Sequence, residues 1–286
     1  MRPHSFILAC AIGFWTTLAL AHPPTVGPAA PFASGLAGPE GLAFGKDGTL
    51  FVGTAVGDIL RVASDGTTSL LTSTGDRLAG ISVLRDGTIL ACGFNNNRVL
   101  AIDPVSGATS VYANVQSPNF VVQTKRGHVI VSSTFTGNIV DITNGAHVVL
   151  ASGFTFPNGL AIRKKYLYVA DTLLQNVQRL PFTTPGSLGP AEPYASGVGL
   201  ADGIAFDRPG NLFVVGFDAL YLIDAKTQAV TTFSDPLFDW PSNLAFGTSR
   251  PYGKTTMFLV NFGPRLGDGT TIVTVPTNHT GARLIR

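Results

Sequence analysis

Residues 39–53 read PEGLAFGKDGTLFVG. A proline opens the stretch, an apolar run follows, Asp47-Gly48 interrupts it, and a second apolar run ends on Gly53. Two short apolar runs around an Asp-Gly pair have the composition of an antiparallel hairpin. The arrangement returns five times, as LAGISVLRDGTILACG (78–93), PNFVVQTKRGHVIVSS (118–133), PNGLAIRKKYLYVAD (157–171), ADGIAFDRPGNLFVVG (201–216) and PSNLAFGTSRPYGKTTMFLVNFG (241–263). The residues after the opening proline or its equivalent are Glu40, Ala79, Asn119, Asn158 and Asp202. In the sixth copy Ser242-Asn243 stands there, with Asn243 as the match. Successive intervals are 39, 40, 39, 44 and 41 residues.

Each interval holds a second hairpin. DILRVASDGTTSLLT (58–72), RVLAIDPVSGATSVYA (98–113) and GNIVDITNGAHVVLA (137–151) display it. Units of about 40 residues with four short strands each are the mark of a propeller. The expected fold is all-β: a six-bladed β-propeller with four antiparallel strands per blade. FASGLAGPEG (32–41) resembles YASGVGLADG (194–203) and LASGFTFPNG (150–159), whose first halves end outer strands. Residues 29–34 are therefore a candidate for the strand that closes the ring. The C-terminal ARLIR (282–286) competes for that place, and the sequence leaves both open.

The bulk numbers agree with a large β domain. Of 286 residues, 45% are hydrophobic and only 13% charged, while Gly 33 and Pro 19 favour turns over helices. The net charge of +2 is scattered, without the basic face that a nucleic-acid partner requires. Arg2 and His4 precede an apolar run from Phe6 to Leu20, and Ala19-Leu20-Ala21 supplies a small-x-small cleavage pattern. Residues 1–21 read as a signal peptide, and 22–286 as one propeller domain, secreted or periplasmic. The apolar run is too short for a membrane span, so no membrane association is expected after cleavage. A monomer is expected. Cys10 leaves with the signal, and Cys92, then alone, reads as a small buried strand residue.

The first strand of a propeller blade lines the central channel, so matched opening residues converge on one mouth. Of Glu40, Ala79, Asn119, Asn158, Asp202 and Asn243, all but Ala79 carry oxygen, and Glu40 and Asp202 are carboxylic. That composition suits a hard cation such as calcium, which takes carboxylates and amide carbonyls. No His or Cys recurs at these positions to favour zinc. Taken singly, each Asn or Asp before Gly is an ordinary turn former. Their recurrence at one position of the repeat is what singles them out.

FPNGLAI…YLYVADT (156–172), PEGLAF…GTLFVG (39–53) and ADGIAFDRPGNLFVVG (201–216) resemble the gluconolactonase/regucalcin-like family, also called the senescence marker protein family. The resemblance extends over nearly all of the chain after residue 21. It implies a six-bladed propeller with a divalent cation, usually calcium, at the channel mouth. By position it implies the ligands Glu40, Asn119, Asn158 and Asp202, with Asp202 also acting as general base or nucleophile. The same set resembles that of diisopropylfluorophosphatase and the paraoxonases. Sugar-lactone members carry an arginine two residues before the third-blade Asn and an acidic residue just after it. Here those places hold Ser117 and Phe120, which favours a less polar substrate than gluconolactone.

The expected activity is a calcium-dependent hydrolase of a small-molecule lactone or ester, with Asn243 lining the substrate pocket. Two rivals are a non-catalytic ligand- or protein-binding propeller and a lyase, strictosidine synthase-like, that uses Glu40 as acid/base. Other signals are discounted. No G-x-S-x-G elbow occurs. Asp47, Asp65 and Asp86 read as hairpin turns, and His128 and His147 as surface residues. Asn278-His279-Thr280 is a glycosylation sequon for a eukaryotic host alone. His22, as a mature N-terminus, lacks a second His for copper.

Overall fold

The computed structural model describes residues 23–248, 251–263, 267 and 269–282. The signal-peptide reading over 1–21, Cys10, His22 and most of ARLIR lie outside the described residues.

The strands form six antiparallel sheets in chain order. The first strands of the six blades are Pro39–Phe44, Leu78–Val83, Pro118–Gln123, Pro157–Arg163, Ala201–Phe206 and Pro241–Phe246. Each blade has four strands, and the fourth blade adds a two-residue strand, Ser187–Leu188, against its long third strand Asn176–Thr184. Among the described residues a single 3-10 turn, Thr143–Gly145, is the only helical segment.

The ring closes through the N-terminal side. Ala30–Ala33 pairs antiparallel with Thr271–Pro276, with Ala30 opposite Thr274 and Pro31 opposite Val273. This strand is the outermost of blade six. Phe32 anchors it, its ring meeting Phe258 edge-on at 5.0 Å and Tyr252 at 6.3 Å. Asn278 reinforces the closure: its Oδ1 accepts from the Thr25 amide at 2.8 Å and its Nδ2 donates to the Pro23 carbonyl at 3.0 Å.

Each second strand is buried on both faces, as in Leu50–Thr54, because a neighbouring blade covers each side. Alternate residues serve alternate neighbours. Leu50 and Val52 pack with Phe258 and Val260 of blade six, while Phe51 packs with Leu78 and Ile89 of blade two. The six hydrophobic clusters fall one to each junction between blades. Cys92 is fully buried in the cluster between blades two and three. The Asp-Gly turns form as expected: Asp47, Asp65 and Asp86 accept from the amides of Thr49, Thr67 and Thr88.

Candidate functional site

All six first strands begin with an irregular register. Pro39 lies opposite Thr54, but Gly41 lies opposite Gly53, so one extra residue is fitted in between. The same bulge separates Leu78 from Ile81, Pro118 from Val121, Pro157 from Leu160, Ala201 from Ile204 and Pro241 from Asn243. A bulge re-aims side chains at a sheet rim. Here it sits at the same channel mouth in every blade.

The register equates Glu40, Ala79, Asn119, Asn158, Asp202 and Ser242. It corrects the assignment of Asn243, which lies one residue further along, at the place of Gly41 in blade one. Ser242 stands 40 residues after Asp202, in line with the other intervals, and the amide of Asn243 drew the match one residue too far. Ser242 donates from Oγ to the Glu40 carbonyl at 3.0 Å, tying blade six to blade one. Asn243 is buried; its Oδ1 accepts from the Leu244 amide at 2.7 Å, and its Nδ2 has no partner.

Glycines let the first strands approach closely at that next place. A Cβ on Gly159 would stand 2.1 Å from the Asp202 carbonyl, and one on Gly203 would stand 2.6 Å from the Asn243 Cα. Gly41 and Gly80 face the neighbouring backbone in the same way at 2.7 Å. No side chain fits such gaps, so these glycines set how tightly the opening residues converge.

At the mouth Asn119 and Asn158 are buried and Glu40 and Asp202 half-buried, with the charge of Asp202 acting on Glu40. Asn158 donates to Thr172 Oγ1 at 3.3 Å, and its amide lowers the carboxyl of Asp202. Oδ1 of Asn158 is left buried without a partner, and so is Oδ1 of Asn119. An orphaned buried acceptor costs about 1–3 kcal/mol. Burial drives the Glu40 carboxyl well above the usual range; the Asp202 charge adds to that, and Arg77 offsets part. Burial also raises Asp202 strongly, against the lowering effect of the Asn158 amide.

The four fully buried carboxylates among the described residues behave differently. Asp76 takes two hydrogen bonds from Arg98 at 2.8 Å, and Asp171 accepts from the amides of Thr155 and Phe156. Asp207 is met by Asn211, the Gly210 amide and His279, and Asp141 by His128. Those acids are matched with donors and serve the fold. The Glu40–Asp202 pair, with two amide oxygens lacking donors, is short of positive charge. Carboxylates and amide carbonyls are the ligand types of a hard cation, so the residues fit calcium. Among the described residues no group of three His, Cys, Asp or Glu forms an alternative metal cluster.

Sequence reading missed Arg77 and a belt of aromatic residues around the mouth, and passed over Ser242 for Asn243. Arg77 stands two residues before Ala79, near Glu40, with its guanidinium 5.5 Å from the Phe262 ring centre. A scan of the residues before each first strand would have found it. Ser117 and Phe120, which stand where sugar-lactone members carry charge, have structural roles. The Ser117 amide donates to Asn97 Oδ1 at 2.8 Å, and Phe120 packs between blades three and four. His128, expected at the surface, is half-buried just before the second strand Val129–Ser133, at the end of the blade away from the cluster, with Nδ1 2.7 Å from Asp141; His147 is exposed as expected and bonded to the Asn114 carbonyl.

Residues 119–259 match the model of the SMP-30/Gluconolactonase/LRE-like region, a span holding Asn119, Asn158, Asp202 and Asn243. Residues 33–62, which hold Glu40, match the model of the strictosidine synthase-like N-terminal region. No curated protein sequence matches the chain. Similar solved structures include a gluconolactonase from Xanthomonas campestris, with TM-score 0.74 and 19% identity over 90% of this chain and 96% of that one. A luciferin-regenerating enzyme gives TM-score 0.74 and 17% identity over 92% and 99%. The calcium-binding protein regucalcin from Agrobacterium tumefaciens gives 0.71 and 16% over 89% and 96%. At these identities the likeness is one of fold. With the matched region it bears out the gluconolactonase/regucalcin-like resemblance of the sequence.

Proposed function

We propose that the channel mouth hydrolyses a lactone or related ester with a divalent cation, calcium foremost, held by Glu40, Asn119, Asn158 and Asp202. The observation that supports this reading most is the pair of donor-less amide oxygens beside two carboxylates whose ionisation burial opposes. A cation there would polarise the ester carbonyl and offset the charge developing on its oxygen. Asp202 in its ionised form takes the proton of an attacking water, or attacks the carbonyl itself. The Asn158 amide favours the ionised form of that carboxylate. Ser242 holds the backbone of Glu40. The unpartnered Nδ2 of Asn243 is the donor available to a substrate oxygen.

Asp202→Asn tests the mechanism. It should lower hydrolysis by about 10²–10⁴-fold, the usual contribution of a positioned general base. Lactonase activity that survives the change with the metal still bound rejects the role of Asp202. A lactone and ester panel run with and without chelator tests the cation; calcium should restore what chelation removes. The chain is proposed to act as an exported monomer beginning at His22. N-terminal sequencing and the sedimentation mass of the secreted protein check this.

A further inference from the structure

We infer that the rim of the channel mouth is a recognition surface for an apolar substituent, so that the preferred substrates are lactones or esters bearing an alkyl or aryl group. The inference rests on the hydrolase reading above. It is carried by a different set of residues.

Because first and second strands are antiparallel, the residue before each first strand and the turn after each second strand lie at the same end as Glu40 and Asp202. In several blades those positions hold large apolar side chains. Phe135 meets Phe94 edge-on at 5.3 Å and Phe156 at 5.9 Å, an arc across blades two to four. Phe217 meets Trp240 at 5.7 Å across blades five and six. Phe135 is nevertheless 67% exposed and Phe217 49% exposed. Their rings are held in place by one another and are not covered.

The fold does not require this. At the far end, turns of the same architecture carry Lys46-Asp47, Arg85-Asp86, Lys125-Arg126 and Lys164-Lys165. Those polar turns close their hairpins equally well. The backbone also bears a cost at the mouth. Leu200 (φ 42), Phe217 (φ 23) and Trp240 (φ 49) occupy the left-handed region, which bulky residues rarely adopt and glycine adopts freely. Strain kept at a bulky residue, where glycine would relieve it, marks a position selected for its side chain.

Polar floor and apolar rim are continuous, since Phe156 stands two residues before Asn158 and Trp240 two before Ser242. A ligand with a reactive ester at one end and an apolar body at the other matches both zones. A polyhydroxylated lactone leaves its hydroxyls against rings that cannot bond them.

The test compares γ-lactones with alkyl chains of increasing length against a polyhydroxy δ-lactone, using wild type, Phe135→Ala and Phe217→Gly. Each added methylene should raise kcat/KM by about three- to fourfold until the chain outgrows the rim. Each variant should lose about tenfold on the longest chain and little on the unsubstituted lactone. Cation affinity should not change, and the melting temperature of Phe217→Gly should hold or rise. A flat chain-length profile, or preference for the polyhydroxy lactone, overturns the inference and leaves the hydrolase reading intact. If no lactone is hydrolysed, the hydrolase reading falls, and the rim is read by titrating alkyl hydroxy acids against the fluorescence of Trp240. Binding that tightens with chain length and weakens in Phe217→Gly sustains the inference; no binding ends it. Cosedimentation with phosphatidylcholine vesicles that both variants abolish, without chain-length dependence in solution, makes the rim a membrane-docking face and also overturns it.

Discussion

Asn158 of blade four donates to Thr172 Oγ1 at 3.3 Å and its amide holds down the carboxyl of Asp202 in blade five, while its own amide oxygen is buried without a partner. One side chain thus favours the ionised form of the candidate base and leaves an oxygen free at the channel mouth. Asn158→Ala removes both contributions. Cation affinity should fall by about 10–100-fold, the range seen when a metal site loses an orienting partner. Calorimetric titration of calcium checks this, and unchanged affinity would place the cation elsewhere.

The titration of Glu40 and Asp202 has a definite sign. Burial raises both carboxyls in the fold above their unfolded values. Stability from this source is fully present below about pH 4, where the unfolded carboxyls are protonated too. It is lost as pH rises through the raised folded values. The cation-free protein should therefore melt lower at pH 7 than its other groups dictate, and calcium should restore it. Melting curves from pH 4 to 8 with chelator and with calcium read the effect. Identical pH slopes in the two series contradict it.

Gly159→Ala and Gly153→Ala separate crowding from strain. The first would place a methyl 2.1 Å from the Asp202 carbonyl. The second meets nothing within 4 Å but sits at φ +91. Forced overpacking costs about 1–3 kcal/mol and shifts backbone, so Gly159→Ala should lose stability and activity together. Gly153→Ala should lose about 1 kcal/mol and keep its turnover. Urea unfolding and kcat/KM on the same two preparations decide it.

Phe32→Ala tests closure from the N-terminal side. The ring is partly buried against Phe258 and Tyr252 in the junction of blades six and one. Its loss should cost about 2 kcal/mol by burial, with ring-pair contacts adding about 0.5–1.5 kcal/mol each. Chemical denaturation measures this, and a change below about 0.5 kcal/mol means the strand does not hold the ring shut.

Asn243→Ala should raise KM for the substrate and leave calcium affinity near wild type, because the register places Asn243 outside the set that holds Glu40. A calcium affinity reduced as far as in Asn158→Ala restores Asn243 to the ligand set.

The sequence by itself determined the number of blades, their strand pattern and the opening residues of the first five blades. Those follow from local chemistry: apolar runs that must be buried, Asp-Gly turns that must bend, and a spacing that repeats. PEGLAF and ADGIAF announce both a strand and a polar residue at its head, so Glu40 and Asp202 were legible without coordinates. Three things were decided only in three dimensions. Ala30–Ala33 won the closing position because its pairing with Thr271–Pro276 joins residues from opposite ends of the chain, and periodicity carries no information about such a contact. The match in blade six moved from Asn243 to Ser242 because hydrogen-bond register, and not side-chain type, sets equivalence in a bulged hairpin. The aromatic rim emerged because its members are single residues in separate turns, far apart along the chain, and only the antiparallel return of each strand carries them to one mouth.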